Sequence, residues 1–393
     1  MSQNDKKALK IMEDSIKLDN GHYVIALPWK NYPPQLQNNR SLAEQRLSSL
    51  KRRLQREPIV HEKYTAFMND LLNKDYARKV NHEAQDPSKI LWYLPHHPVL
   101  NPHKPEKVRV VFDCSAKYGN TSLNDQLLQG PDMTSTLVGV LTRFREERVA
   151  MTSDIESMFY QVRVKPSDCS TLRFLWWPNG RLDEPVEEYE MQVHLFGGTS
   201  SPSCSNFALR RTAEDNKSEF DPQTIETVKR NFYVDDCLKS VKSDEEAVRR
   251  ASQLRELLSR GGFRLTKWNS TSQKLIKSLP ESERAEKIKD LDFDKLSIER
   301  VLGVQWNVST DQFGFIKVRP LTRRGILSVV SSVFDPLGFA APFILQAKQI
   351  LQELCRLKLD WDETIPEKFQ DRWQSWLRDL PNLEELTIDV AST

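Results

Sequence analysis

Asn231-Phe-Tyr-Val-Asp-Asp-Cys-Leu-Lys-Ser-Val241 is the stretch that decides the fold. Two short apolar arms flank adjacent carboxylates, which reads as a strand, a tight turn and a returning strand with the acids at the tip. Far upstream, Ala150-Met-Thr-Ser-Asp-Ile-Glu-Ser-Met-Phe-Tyr160 sets Asp154 at the end of another strand, after small and apolar residues. Taken singly, either acidic site has an ordinary explanation, because Asp caps turns and Asp-Asp is common in them. The apolar flanks on both sites make that explanation unattractive. Carboxylates brought together at adjacent strand ends form a hard-oxygen site suited to Mg²⁺. Two such ions align an attacking hydroxyl and a leaving phosphate oxygen for in-line displacement. In that chemistry the protein supplies position and charge rather than a nucleophile.

Around these two sites the pattern alternates between strands and helices. Val108–Phe112 reads as a strand, and Thr171–Trp177 as another that turns at Pro178-Asn-Gly180 and returns through Glu188–Val193. Ser243 with Glu246 forms a capping box for a helix carrying Val248, Ala251, Leu254 and Leu258, ended by Gly261 and Gly262. Short strands flank Gly303 and Gly314. Residues 28–41 read as an irregular linker, and 42–56 as a helix with Leu42, Leu47, Leu50 and Leu54 near one face. From about 322 the chain is mainly helical, interrupted at Asp335-Pro336 and Ile365-Pro366. There Phe369, Trp373, Trp376 and Leu380 keep the spacing of a core stripe. The expected fold class is α+β, followed by a helical module.

The 393 residues correspond to roughly two to three domains. With 38% hydrophobic and 28% charged residues, and no run near the ~18–20 apolar residues of a spanning helix, a membrane protein is not expected. The polar N-terminus lacks an apolar signal region, and the five cysteines show no CxxC spacing. An intracellular, non-secreted protein is expected. Net charge is +2, yet the first 107 residues hold 18 Lys and Arg against 12 Asp and Glu. The cluster Lys51, Arg52, Arg53 and Arg56 fits a nucleic-acid contact, a nuclear localisation patch or a solvated helix face. The seven histidines lack metal-ligand spacing. Trp176-Trp177 is expected to pack rather than to stack on bases.

Six motifs in order resemble those of reverse transcriptases, and within them the polymerase of BEL/Pao-type LTR retrotransposons. Lys107-Val-Arg-Val-Val-Phe-Asp113 is similar to the family's K-x-R-x-V-x-D strand of the fingers, and Asp154-Ile-Glu-Ser-Met-Phe-Tyr-Gln161 to its first metal-binding motif. Phe196-Gly-Gly-Thr-Ser-Ser-Pro202 resembles the Q-G-x-x-x-S-P turn, with Phe196 in place of the usual Gln. Tyr233-Val-Asp-Asp236 looks like Y-x-D-D. Gly261-Gly-Phe-Arg-Leu-Thr-Lys267 matches the motif after the palm helix, and Val301-Leu-Gly-Val-Gln-Trp306 the primer-grip hairpin. His194–Pro202 and Phe334-Asp-Pro-Leu-Gly-Phe-Ala-Ala-Pro342 have the BEL/Pao look.

The resemblance implies a right-hand polymerase: an N-terminal helical extension (1–90) leading into fingers, fingers and palm (91–317), and a helical thumb or connection (318–393). It implies RNA-directed DNA synthesis from dNTPs on an RNA or DNA template-primer, with two Mg²⁺ ions or Mn²⁺ in their place. Asp154 and Asp235 would ligate both metals, the Ile155 carbonyl would complete a coordination shell, and Asp236 would be a less direct carboxylate. Arg109 and, more weakly, Lys107 would clamp the triphosphate. Phe159 would lie under the nucleotide sugar. Lys267 would be either a proton donor to pyrophosphate or a phosphate contact. Gly197, Ser201, Pro202 and Tyr233 would face primer and template, and Gly303 and Trp306 would shape the loop holding the primer end. No peptidase Asp-Thr/Ser-Gly motif and no HHCC integrase pattern occur, and too few residues follow the helical tail for a ribonuclease H domain. Protease, integrase and ribonuclease H are therefore expected as partners outside this chain. The expected compartment is the cytoplasm, in virus-like particles, or the nucleus. The rival reading is a silent or co-opted retroelement remnant that binds nucleic acid without polymerising.

Overall fold

A computed structural model describes residues 1–81, 89–101, 104–285, 298–301, 304–307, 312–314, 321–333, 335–380, 382–385 and 388–389. The chain forms two compact units, each discontinuous in sequence. The first comprises 1–134, 156–220 and 256–264, and the second 135–155, 221–255 and 265–393.

In the first unit, helix Arg40–Arg56 buries Ala43, Leu47, Leu50 and Leu54. Those positions recur at the helical period, so one stripe enters the core and the charged residues stay outside. Pro58 opens the next helix, Pro58–Asn73, at a position where its missing N–H has no intrahelical role. Both helices share a core with Trp92, Tyr93, Phe174 and Trp176. Beneath them lies an antiparallel sheet in the order Ala77–Lys79, Glu187–Met191, Arg173–Trp176. The expected hairpin at 171–193 is present, and Trp176 and Trp177 are both buried, so they pack. Its turn uses Asn179 and Gly180 at positive φ, and a Cβ on Gly180 would strike the Thr65 side chain. Buried Arg173 pairs with buried Glu188 at 3.2 Å, and the Tyr93 hydroxyl donates to the same carboxylate at 2.7 Å. Removing one member would strand a charge in the core. A separate hairpin, His96–Asn101 with Lys104–Phe112, sets Val99 opposite Arg109.

The second unit is built on a four-stranded antiparallel sheet. Its order is Phe232–Tyr233, Asp236–Val241, Val149–Ile155, Leu265–Ser270. Helix Leu137–Arg143 and Phe144 cover one face, where Val140, Leu141 and Phe144 pack with Ala150 and Leu238. The capping box before helix Asp244–Ser259 is offset by one residue. Ser243 Oγ accepts the Glu246 N–H, but the Glu246 carboxylate accepts from Lys242 N–H. Strands Ile298–Val301, Val304–Asn307 and Gln312–Gly314 form the expected short hairpins. The last stretch holds helices Arg323–Ser332, Ala341–Arg356 and Glu367–Asp379. Phe369, Trp373, Trp376 and Leu380 are buried there as the core stripe, with the two indoles stacked at 4.9 Å. Asp335 explains the helix break, since its carboxylate accepts the N–H groups of Phe339 and Ala340. No helix among the described residues is long and apolar enough to cross a membrane.

Candidate active site

The carboxylates meet at one end of the sheet in the second unit. Pairing of Val149–Ile155 with Asp236–Val241 puts Asp236 directly opposite Asp154. Side chains alternate across a strand, so buried Ser153 and Ile155 point inward while Asp154 reaches the half-buried face. Tyr233 pairs with Asp236, which leaves Val234 and Asp235 as a two-residue turn. Val234 sits at φ +56°, a region that β-branched residues avoid at a cost of about 1–3 kcal/mol. Two anchors hold the turn in place. The Ile155 N–H donates to the Asp235 carbonyl at 2.9 Å. Buried Asn231 bridges the hairpin base, its amide donating to the Leu238 carbonyl while its own carbonyl accepts the Leu238 N–H, each at 2.9 Å.

Lys267 arrives from the opposite edge. Strand Leu265–Ser270 slips register against the central strand between Thr266 and Asn269, and Lys267 lies inside that slip at φ +53°. A bulge of this kind re-aims a side chain. The Lys267 ammonium donates to Asp154 Oδ2 at 2.9 Å.

The electrostatics follow from this crowding. Burial and the neighbouring Asp154 charge raise the Asp235 carboxyl, partly offset by Lys267. Asp236 is pushed up to about 7, by burial first and then by the charges of Asp235 and Asp154. Like charges directly opposite on a sheet are destabilising, so protonation of Asp236, the Lys267 ammonium or a bound cation relieves this cluster. Among the described residues no three His, Cys, Asp or Glu side chains are already closed around a metal position. The donor set itself, all hard oxygen, fits a divalent ion such as Mg²⁺.

The remaining candidates lie elsewhere. In the first unit Phe159 occupies the short turn Met158–Gln161, after Ser157 at φ +50°. Its ring is buried and lies 4.4 Å from Phe196, which is 53% exposed. Gly197 stands at φ +100°, where a Cβ would meet the Phe112 carbonyl at 2.8 Å. Asn124 clamps this turn: its amide donates to the Gly197 carbonyl and its oxygen accepts the Thr199 N–H, both at 2.9 Å. Ser201 and Pro202 open helix Ser201–Asp215. Arg109 is exposed on its hairpin, and Lys107 shares that strand. Tyr233 packs beside the Val140 cluster, Trp306 lies on strand Val304–Asn307, and Gly303 falls outside the described residues. Thus Asp154, Ile155, Asp235, Asp236 and Lys267 come together in one sheet. Sequence reading missed Asn124, whose partners Gly197 and Thr199 are distant in sequence, and Asn231, whose bridge to Leu238 is local but carries no motif.

Residues 100–275 match the family model of the reverse transcriptase (RNA-dependent DNA polymerase), and residues 322–391 match the Pao retrotransposon-like RNaseH-like domain. A search of curated proteins found no match. Among solved structures, the foamy viral protease-reverse transcriptase in complex with double-stranded DNA is 14% identical at a TM-score of 0.55, covering 84% of this chain and 48% of that one. The foamy viral protease-reverse transcriptase in complex with RNA/DNA hybrid is 13% identical at a TM-score of 0.54, covering 98% and 45%. The chain therefore spans about half the length of these relatives in structure, and the likeness is one of fold. The family match thus places a reverse transcriptase (RNA-dependent DNA polymerase) domain at residues 100–275, and the likeness to the solved structures is in keeping with its fold. The Pao-type match beside it is consistent with a BEL/Pao reverse transcriptase. One expectation is overturned. The sequence leads one to expect a ribonuclease H part only outside this chain, whereas the RNaseH-like match lies on the helical tail itself.

Proposed function

We propose that this chain extends a primer on an RNA or DNA template from dNTPs, with Asp154, Asp235 and Asp236 as the catalytic carboxylates. The observation that carries this reading is the register pairing of Asp236 with Asp154 beside the Asp235 turn. Two divalent ions, Mg²⁺ or Mn²⁺, would supply Lewis acidity and charge neutralisation when bound. Asp154, Asp235, Asp236 and the Ile155 carbonyl would hold them. Asp236, raised to about 7, would give up its proton on binding a cation, and the Asp235 carboxyl is raised in the same direction. Lys267 neutralises Asp154 in the meantime and then turns to phosphate or to the departing pyrophosphate. Arg109, with Lys107, takes the triphosphate. Phe159 floors the sugar. Gly197, Ser201, Pro202 and Tyr233 would contact primer or template, and the resemblance alone assigns Gly303 and Trp306 to the loop holding the primer end. Residues 1–90 form the extension into the fingers, 91–317 fingers and palm, and 318–393 the thumb or connection.

The test is primer extension on a primed homopolymer RNA by the full chain and by Asp235→Asn. The amide keeps the shape and loses the charge, so extension should fall by several orders of magnitude while the melting temperature holds. Extension by the variant at near the unsubstituted rate would show the site to be misassigned.

A further inference from the structure

Helix Arg40–Arg56 carries six cations and one acid, and the structure sorts those cations into two groups. Arg40 pairs with Glu44 and Glu188, and Arg53 with Glu57. The Lys51 ammonium lies over the Trp177 ring at 5.9 Å. Arg46, Arg52 and Arg56 are exposed and have no carboxylate partner among the described residues. Arg52 and Arg56 stand one turn apart, ~6 Å along the axis, opposite the buried stripe of Leu47, Leu50 and Leu54. Together with Ser49 and Gln55 they line a shallow hollow of about 490 Å³ whose walls carry no acid. The larger hollow beyond Lys51, about 680 Å³, sets Glu62 and Asp183 against Lys51 and Arg181, so its charge is balanced. Unpaired cationic character is thus centred on the face of Arg52 and Arg56, with Arg46 on its flank, about 120° round the helix from Arg52.

We propose that this outer face, with Arg46, Arg52 and Arg56, is a second nucleic-acid site that grips the phosphate backbone of a strand. The chemistry recognised is a row of phosphates, because guanidinium groups pair with phosphate oxygens through fixed forks and Ser49 and Gln55 add neutral donors between them. The absence of an exposed aromatic on the stripe argues for backbone contact without base stacking. Such a site holds template independently of the catalytic carboxylates. It rests on the polymerase reading only for the identity of the strand.

The experiment measures binding of the full chain in an Asp235→Asn background, so that chemistry is silent. A failure of the polymerase reading would appear separately, in primer extension by the unsubstituted chain. Labelled single-stranded RNA and a labelled blunt RNA–DNA hybrid are titrated across a range of KCl concentrations. The triple variant R46A/R52A/R56A is compared with a control that removes three exposed lysines elsewhere, K6A/K10A/K277A. Losing three phosphate contacts should flatten the log-affinity against log-salt slope by roughly 2 for a single strand, and by roughly 2.7 for a duplex. Flattening with RNA alone identifies unpaired template as the source, and flattening with the hybrid identifies the duplex. Both support the site, provided the control slope stays put and melting temperatures match. An unchanged slope with both probes overturns it, as does an equal fall in the control. Binding of a nuclear-import receptor with unchanged nucleic-acid slopes also overturns it.

Discussion

Replacing Asp236 by asparagine should stabilise the metal-free protein at neutral pH while damaging catalysis. Asp236 faces Asp154 across the sheet and adjoins Asp235, and its carboxyl is raised from 3.8 to about 7. The folded state therefore holds a proton that the unfolded chain releases between about pH 4 and 7. Within that window the folded form binds more protons than the unfolded one, so stability falls as pH rises, and the loss is complete above about pH 7. A shift near three units corresponds to about 2–4 kcal/mol at pH 8, allowing for solvent relaxation around a half-buried group. Asparagine mimics the protonated acid and does not titrate. The variant should match the unsubstituted protein near pH 4 and melt roughly 5 °C higher or more at pH 8. The assay is thermal unfolding from pH 4 to 8 in chelator, repeated with millimolar Mg²⁺. Mg²⁺ should raise the melting temperature of the unsubstituted protein more at pH 8 than at pH 5, because binding displaces protons. Parallel melting curves for the two proteins across this range would refute the coupling of the three carboxylates.

Three further outcomes follow from the packing. Phe159→Val should admit ribonucleotides while dNTP use survives; joint loss of both with a lowered melting temperature, from a cavity costing ~3 kcal/mol, would instead make Phe159 only a core residue under Phe196. Asn124→Ala removes both hydrogen bonds across the Phe196–Thr199 turn, so Kd for template-primer should rise several-fold with a stability loss of about 2 kcal/mol; unaltered affinity would detach that turn from primer and template binding. Trp373→Ala, at a fully buried stacked indole, should cost about 3–5 kcal/mol in denaturant unfolding, and a loss below 1 kcal/mol would contradict the helical core around it.

The parts of the fold readable in the sequence are those set by local periodicity. The Tyr233–Asp236 hairpin, the strand ending at Asp154 and the stripe of helix Arg40–Arg56 each alternate at the period of their element, and each is present. Helix Ser201–Asp215 was not legible, because Ser203, Ser205, Asn206 and Thr212 are buried along with Ala208, Leu209 and Ala213, which leaves little apolar contrast. Helix Gln3–Ser15 hides for a similar reason, burying only Ala8 and Met12. At the candidate site the identity of the acids was legible but their support was not. The left-handed Val234 runs against the preference of its own side chain, and the bulge that aims Lys267 and the Ile155 anchor of the Asp235 turn depend on strands that meet from distant parts of the chain.

That last dependence has a consequence for how the protein is made. The central strand Val149–Ile155 has both neighbours, Asp236–Val241 and Leu265–Ser270, later in the chain. On a ribosome adding ~5–20 residues per second, it waits on the order of ten seconds, first with two open edges and then with one, before the second partner emerges. Closing a loop of ~80 residues to make the first pairing costs about 4 kcal/mol of chain entropy, which that pairing must recover at once. Asp154 serves as a gatekeeper in this interval, since a charge at the end of an apolar strand resists edge-to-edge pairing with another nascent chain. The same carboxylate would then protect the nascent strand first and bind metal afterwards.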